Sequence, residues 1–255
     1  MEFYGDYHLH STYSDGHSSV EEMVKAASGI GLEEICLADH GPRNFAVGVE
    51  SAQTLLQIKE EIKALREKYT GLQIYAGVEA NIISLDGQLD VEREIIEKLD
   101  LLIAGLHSYV WPEGFGDVPW ILGNQVAKVF PLQKKWLQNA NTKALVEAIY
   151  RYEPEIISHP GLKMEINIAE VAKACLAKET LWEINAGHKH PGYKEVREIA
   201  RRGVEFVVNS DAHFPESVGA LEYGAWVLEK AGVPAPQIRN IKEKEHGHEN
   251  IIKIR

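Results

Sequence analysis

Residues 72–107 read LQIYAGVEANIISLDGQLDVEREIIEKLDLLIAGLH, and this stretch decides the fold. Leu72 to Glu79 follows Gly71 as a short apolar run, the pattern of a buried strand. Leu85-Asp86-Gly87 signals a hairpin or loop, the region Val91 to Leu99 reads as a helix, and Asp100 to His107 is a second buried strand. The first strand ends on an acid and the second on a histidine. Strand, helix and strand in so short a space predict a parallel crossover unit.

The same unit recurs on both sides. Upstream, the strand Phe3 to His10 is followed by the loop SDGH and by Ser19-Val-Glu-Glu22, a capping box that opens a helix running to Gly29–Gly31. Glu34 to His40 is a strand, and Leu55, Ile58, Ile62, Leu65 and Tyr69 mark an amphipathic helix over Ser51 to Tyr69. Downstream, helices at Thr142 to Tyr152, Asn167 to Lys178, Tyr193 to Arg202 and Ser217 to Ala231 alternate with strands at Glu155 to His159, Leu181 to Asn185 and Val204 to Asp211. Ser108 to Gln138, with its prolines, glycines, Trp111, Phe115 and Trp120, reads as a long loop. It is either a lid or a small core of its own. The segment from Pro234 is a polar tail of undecided structure, and His246 and His248 in it read as solvated. Seven β-then-α units without a linker predict one α/β domain over residues 1–255, a TIM-like barrel of ~200–250 residues.

Composition narrows the function. The 255 residues carry 27 basic and 38 acidic side chains, a formal charge of −11. Such a chain has no overall pull on nucleic acid or anionic membrane, and neither is expected as a partner. Cys36 and Cys175 stand alone in apolar stretches and read as buried thiols of a reducing compartment. Met1 to Asp6 lacks a signal-peptide pattern and the longest apolar run, Leu101 to Leu106, is far too short for a span, so the expected location is the cytoplasm.

Histidine, at 11 residues, is the unusual number. His8 and His10, His40, Glu79, His107, His159, and Asp211 with His213 fall at the C-terminal ends of six of the seven strands. In a parallel barrel those ends open on one face, where active sites are built. Residues i and i+2 of a strand point the same way, so His8 and His10 face one side, and Asp6 shares their parity as a possible hydrogen-bond partner. A lone histidine at a strand end is more often a hydrogen-bonded structural group. The joint pattern reverses that, since so many imidazoles and carboxylates in one cavity repel and desolvate one another unless cations join them. Nine candidates, His8, His10, Asp15, His40, Glu79, His107, His159, Asp211 and His213, exceed what one ion takes and predict two or three divalent ions, with Glu79 the best placed bridge. Imidazole and carboxylate suit zinc, manganese or iron. Such a cluster stays net positive and attracts phosphate even in an acidic chain. It suits phosphate ester hydrolysis through an activated water held by ligands that include Glu79, Asp211 and His213.

These motifs, HLHSTYSDG, ADHG, GVEAN, GLHS, SHPG and SDAH, resemble in order and spacing those of the PHP (polymerase and histidinol phosphatase) superfamily, nearest its stand-alone bacterial phosphatases, over nearly the whole chain. The resemblance implies a distorted (β/α)7 barrel and a trinuclear site. One ion would be held by His8, His10, Glu79 and Asp211, a second by Glu79, His107 and His159, and a third by Asp15, His40 and His213. Asp15 is preferred over His17 as the loop ligand, because Gly16 lets the loop turn tightly and Ser18 and Ser19 then begin the helix. The resemblance also places the ligand at the SDG aspartate, although some relatives use histidine in this loop. Because the superfamily includes histidinol phosphatases, nucleotide or dinucleotide phosphatases, phosphoesterases and polymerase-associated exonucleases, the resemblance does not supply the substrate.

Further candidates are Arg43 and Lys163 for phosphate contact and His188 and His190 for substrate or proton transfer. The expectation is a hydrolase of a small phosphomonoester. The alternatives are a phosphodiesterase, nuclease or amidohydrolase-like enzyme on the same cluster, and a non-catalytic metal-binding module.

Overall fold

The computed structural model describes residues 1–127 and 134–242. The strands are β1 (Gly5–Leu9), β2 (Glu34–Leu37), β3 (Gln73–Asn81), β4 (Leu101–Gly105), β5 (Ile156–Ile157), β6 (Leu181–Asn185) and β7 (Phe206–Asn209). They form one sheet in sequence order with every neighbouring pair parallel. The helices between them are α1 (Val20–Gly29), α2 (Ala52–Lys68), α3 (Arg93–Ile96), α4 (Val118–Val126), α5 (Lys134–Tyr152), α6 (Ile168–Lys178), α7 (Tyr193–Ala200) and α8 (Glu222–Ala231). This is the expected α/β, TIM-like barrel, and it is nearly closed.

Local chemistry explains the element ends. The Ser19 hydroxyl accepts from the Glu22 amide, and the Glu22 carboxylate accepts from the Ser19 amide at 2.8 Å, which starts α1. Asn167 caps α6 through the Ala169 amide. The helix expected over Val91 to Leu99 shrinks to the single turn of α3.

Parity along the strands then sorts the interior. Tyr7, Cys36, Leu101, Ile103, Ile156, Leu181 and Val207 form a buried cluster drawn from the strands. The larger cluster packs the opposite strand faces, such as Ile35, Leu37, Leu102, Trp182 and Val208, against the helices. Moving along each strand by two turns the inner positions polar: Cys36, Ala38, His40; Leu181, Glu183, Asn185; Val207, Asn209, Asp211. All are buried or nearly so. The barrel is thus apolar at one end and lined with ligating side chains at the other.

Three expectations are corrected. First, pairing of β1 with β2 shifts register between Asp6 and Leu9. The irregularity brings Tyr7 to the inner cluster and turns Asp6 away from His8. The Asp6 carboxylate instead accepts from the Ser210 amide at 3.0 Å, the Ser210 hydroxyl at 2.5 Å and the Gly219 amide at 3.0 Å. Second, Ser108 to Gln138 is not one loop. It holds a 3-10 turn at Phe115–Asp117, all of α4 and the start of α5. Residues 128–133 lie outside the described residues. Pro119, read as a loop signal, stands in the first turn of α4, where its missing N–H is harmless. Trp120 is fully buried and donates to the Asn141 side-chain oxygen at 2.7 Å, so it belongs to α4–α5 packing rather than to a lid.

Third, the chain after Pro234 is structural as far as it is described. Between β1 and β7 the backbone makes only a short bridge, His10 N–H to Ala212 O at 2.9 Å and Ala212 N–H to His8 O at 3.2 Å. Side chains close the rest of that seam. The buried Asn240 amide donates to Gly5 O at 2.8 Å and Val208 O at 2.7 Å and accepts from Val208 N–H at 3.1 Å. Asn209 accepts from Tyr7 N–H at 3.0 Å. Ile238 and Ile241 pair with Phe206 and Phe3. His246 and His248 lie outside the described residues.

Candidate metal centre

The strand ends bring their acids and histidines into one pocket. Glu79, fully buried at the middle of the cluster, divides its two oxygens between two sets of imidazoles. Oε1 faces His159 Nε2 at 3.0 Å and His107 Nε2 at 3.3 Å. Oε2 faces His40 Nδ1 at 2.8 Å, His8 Nε2 at 3.3 Å and His10 Nε2 at 3.8 Å. Asp211 Oδ1 lies 3.1 Å from His10 Nε2 and 3.8 Å from His8 Nε2. Asp15 Oδ2 lies 3.1 Å from His213 Nε2 and 3.7 Å from His40 Nε2, and its Oδ1 lies 3.6 Å from His10 Nδ1.

Four ligand-competent groupings result, each with its donor atoms within 4.8 Å of one another: His8, His10 and Asp211; His10, His40 and Glu79; His10, Asp15 and His213; Glu79, His107 and His159. The last is one of the three sets implied by the resemblance. In the others His10 stands between groupings, and His40 lies nearer Glu79 than Asp15. His17 is exposed, stacks on Phe214 with centroids 4.3 Å apart, and joins none of the four groupings.

Whether the donors fit cations is tested by their hydrogen bonding. Close as they lie to one another, His8 Nε2, His10 Nε2, His40 Nδ1, both oxygens of Glu79 and both ring nitrogens of His107 are buried without a properly directed hydrogen bond. Orphaned polar atoms are rare in folded proteins, and a cluster of them around one carboxylate is the signature of a site that holds cations. Backbone shape agrees. His159 (φ 28°) and Asp211 (φ 55°) adopt left-handed conformations, a strain tolerated where function over-determines the backbone. A Cβ on Gly105 would collide with Ser158 Oγ and press on His107 and Glu79 Oε1, so only glycine leaves the cavity open there.

Electrostatics bind the set together. Burial opposes ionisation of Glu79, yet the imidazoles of His40, His8 and His107 overcome it and hold its carboxyl well below the ordinary range. Asp211 is likewise held low, with His8 and His10 outweighing burial. Burial, helped by the neighbouring imidazoles of His40 and His159, drives the His107 imidazole down to about 4 against the pull of Glu79. At the open edge burial opposes the charges on both partners, but His213, His10 and His40 pull Asp15 to about 2, and Asp15 and Asp211 push His213 to about 9.

Two organising residues escaped the sequence reading. Glu183 accepts from His8 Nδ1 at 2.7 Å and from the His159 amide at 2.6 Å, and Asn209 donates to it at 2.8 Å. It therefore fixes which nitrogen His8 presents to the cluster. Its inward parity with Asn185 in LWEIN was the available signal. Asp39 accepts from the Ser11 amide and hydroxyl, each at 2.8 Å, and from the Ser14 hydroxyl at 2.5 Å, which shapes the loop that carries Asp15.

The remaining candidates separate. His188 Nε2 lies 3.4 Å from Asp211 Oδ2, and both His188 and Lys163 line the pocket. His190 Nε2 instead meets Pro160 O at 2.9 Å, and its backbone pairs with Asn185. Arg43 pairs with Glu113 and donates to Pro112 O at 2.8 Å, turned away from the pocket lining. The structure thus places His190 and Arg43 in the frame of the site rather than at its mouth. Among the described residues, no helix is long and apolar enough to cross a membrane.

Comparison with known proteins agrees with this geometry. The PHP domain family model matches residues 6–212. A probable phosphatase of Thermoanaerobacter sp. (strain X514) is 32% identical, over 98% of this chain and 96% of its own. Among solved structures, histidinol phosphate phosphatase from Lactococcus lactis, complexed with zinc, L-histidinol and phosphate, superposes with a TM-score of 0.62 at 20% identity, over 92% of this chain and 95% of its own. A putative histidinol phosphatase from Listeria monocytogenes gives 0.64 at 15% identity, over 87% and 99%.

Proposed function

The chain belongs to the PHP domain family, and from that premise we propose that it is a metal-dependent phosphatase acting on a small phosphomonoester. The observation that carries the reading is Glu79, a buried carboxylate whose two oxygens serve two imidazole sets full of orphaned donors. That is the arrangement of a carboxylate shared between cations. The nine residues His8, His10, Asp15, His40, Glu79, His107, His159, Asp211 and His213 would hold two or three ions. When bound, such ions supply Lewis acidity, lower the pKa of a water and neutralise phosphoryl oxygens.

The chain's own groups do the rest. Glu183 keeps His8 in one tautomer through Nδ1 and leaves Nε2 free to ligate. Lys163 offers its ammonium to the phosphate from the pocket wall. Burial holds the His188 imidazole below its ordinary value despite Asp211, so at neutral pH it faces the pocket as a neutral group able to take up a proton. Relatives named as probable phosphatases support the reaction class.

Elemental analysis of gently purified protein should give two to three transition-metal ions per chain. The metal-loaded protein should hydrolyse phosphomonoesters ahead of phosphodiesters and amides. Full activity with one ion or none would refute the shared-carboxylate reading. A preference for diesters or amides would move the protein to another hydrolase class.

A further inference from the structure

The loops after β2 and β4 are laced together above the cluster. Asn44 bridges Val110, the Phe45 amide donates to Tyr109 O at 3.1 Å, and the Trp111 amide donates to Arg43 O at 2.9 Å. Arg43, fastened to Glu113 and the Pro112 carbonyl, braces the same junction. The result is a fixed wall with an aromatic row on it. Tyr109 lines the pocket, Phe45 meets it edge-on with centroids 6.0 Å apart, and Trp111 lies 5.1 Å beyond Phe45. All three rings are about half exposed (48%, 49% and 61%). Large aromatic side chains held half-exposed by a rigid backbone at the mouth of a cavity mark a binding surface rather than core.

The rest of the pocket agrees with an apolar guest. Its volume is about 280 Å³, room for a phosphate and one ring. Ala46, Val47, Leu106, Leu162 and Met164 line it alongside Tyr109. Its carboxylates, Asp15, Glu79 and Asp211, all belong to the ligand groupings. Among the described residues that line it, none is an acid left over to pair with a substrate ammonium group, and Lys163 would repel one. Desolvating an ammonium against this wall would go uncompensated.

We infer that the substrate carries a flat, uncharged aromatic ring one short link from its phosphate, and that Tyr109 is the residue that selects it by stacking. The inference rests on the phosphatase reading above for the anionic end of the guest. It places aminoalkyl phosphates among the poor substrates.

Two measurements test it on the metal-loaded protein. In steady-state kinetics, benzyl phosphate should exceed both isobutyl phosphate and 2-aminoethyl phosphate in kcat/KM by about tenfold or more. Tyr109→Leu should erase most of that lead through KM, affect isobutyl phosphate much less than benzyl phosphate, and leave metal content unchanged. In calorimetry, benzylphosphonate, which cannot be hydrolysed, should bind about tenfold more weakly to Tyr109→Leu, while inorganic phosphate binds both forms alike. Turnover without aromatic preference, together with unaltered benzylphosphonate binding, overturns the stacking inference and leaves the phosphatase standing. No turnover of any ester, with Tyr109-dependent phosphonate binding intact, does the reverse.

Discussion

Two buried polar regions meet where the first and last strands join, and they are opposites in their hydrogen bonding. At the seam, Asp6 accepts three hydrogen bonds and the Asn240 side chain makes three. In the pocket just above, seven ligating atoms of His8, His10, His40, Glu79 and His107 are orphaned. The named atoms of both regions are buried, so burial of polar groups does not by itself mark function. A saturated network is architecture, and an unsaturated one requires a partner from outside the chain.

The largest effect expected from this contrast is at Glu79. Glu79→Gln keeps the shape, removes the shared anion and should lower phosphatase activity by about a thousandfold or more, with loss of metal. Circular dichroism should stay native, and near-normal kcat would end the comparison. The seam should respond in the opposite way. Asn240→Ala leaves buried backbone groups unpaired and should lower unfolding free energy by ~2–4 kcal/mol in urea, while the folded fraction retains its metal. A metal deficit in folded Asn240→Ala would show that seam and site are one network. Glu183 stands on the border of the two, joined to Asn209 and His8. Glu183→Gln should weaken metal affinity by about 10–100-fold, read by chelator competition.

Two smaller effects sharpen the picture. Asp15→Ala should remove about one ion per chain and His17→Ala none, checked by elemental analysis; the reverse pattern would move the loop ligand to His17. Asp90 tests a satisfied but desolvated carboxylate. It accepts from the Asn81 amide and side chain and the Arg43 amide, yet burial raises it from 3.8 to about 6. Between those values the folded chain keeps a proton that the unfolded chain has lost. Its contribution to stability is therefore full below about pH 4 and declines as pH rises to about 6. The Tm of Asp90→Asn minus that of wild type should rise across this window, and a flat difference would remove Asp90 from the titration.

Strand ends were legible in the sequence because each buried strand closes on a residue that has no business in an apolar run: His10, His40, Glu79, His107, His159, Asp211. The barrel followed from the alternation. What escaped did so for physical reasons. Glu183 and Asp39 act through other side chains, and no spacing rule ties either to His8 or Asp15 across the barrel. The register shift in β1 broke the parity that pointed to Asp6. Proline and glycine in 108–127 masked α4, since Pro119 at a helix start looks the same in sequence as Pro in a loop. The reach of Asn240 back to Gly5 is a contact over 235 residues, invisible to any local pattern.

That last contact has a consequence for how the molecule comes into being. The barrel's closing hydrogen bonds join residues near one end of the described chain to residues near the other, and His8 meets Asp211 across the same gap. Contacts of such sequence separation form late, after the loop entropy of nearly the whole chain has been overcome. On a ribosome, β1 to β6 can assemble while β7 and Asn240 are still unsynthesised, with His8 and His10 already in place and an open edge beside them. The groupings His10, His40 and Glu79 and Glu79, His107 and His159 need nothing beyond β5, whereas those that include Asp211 or His213 wait for β7. Completion of the ligand set and closure of the seam are thus one late event, and capture of the last ion would report the end of folding.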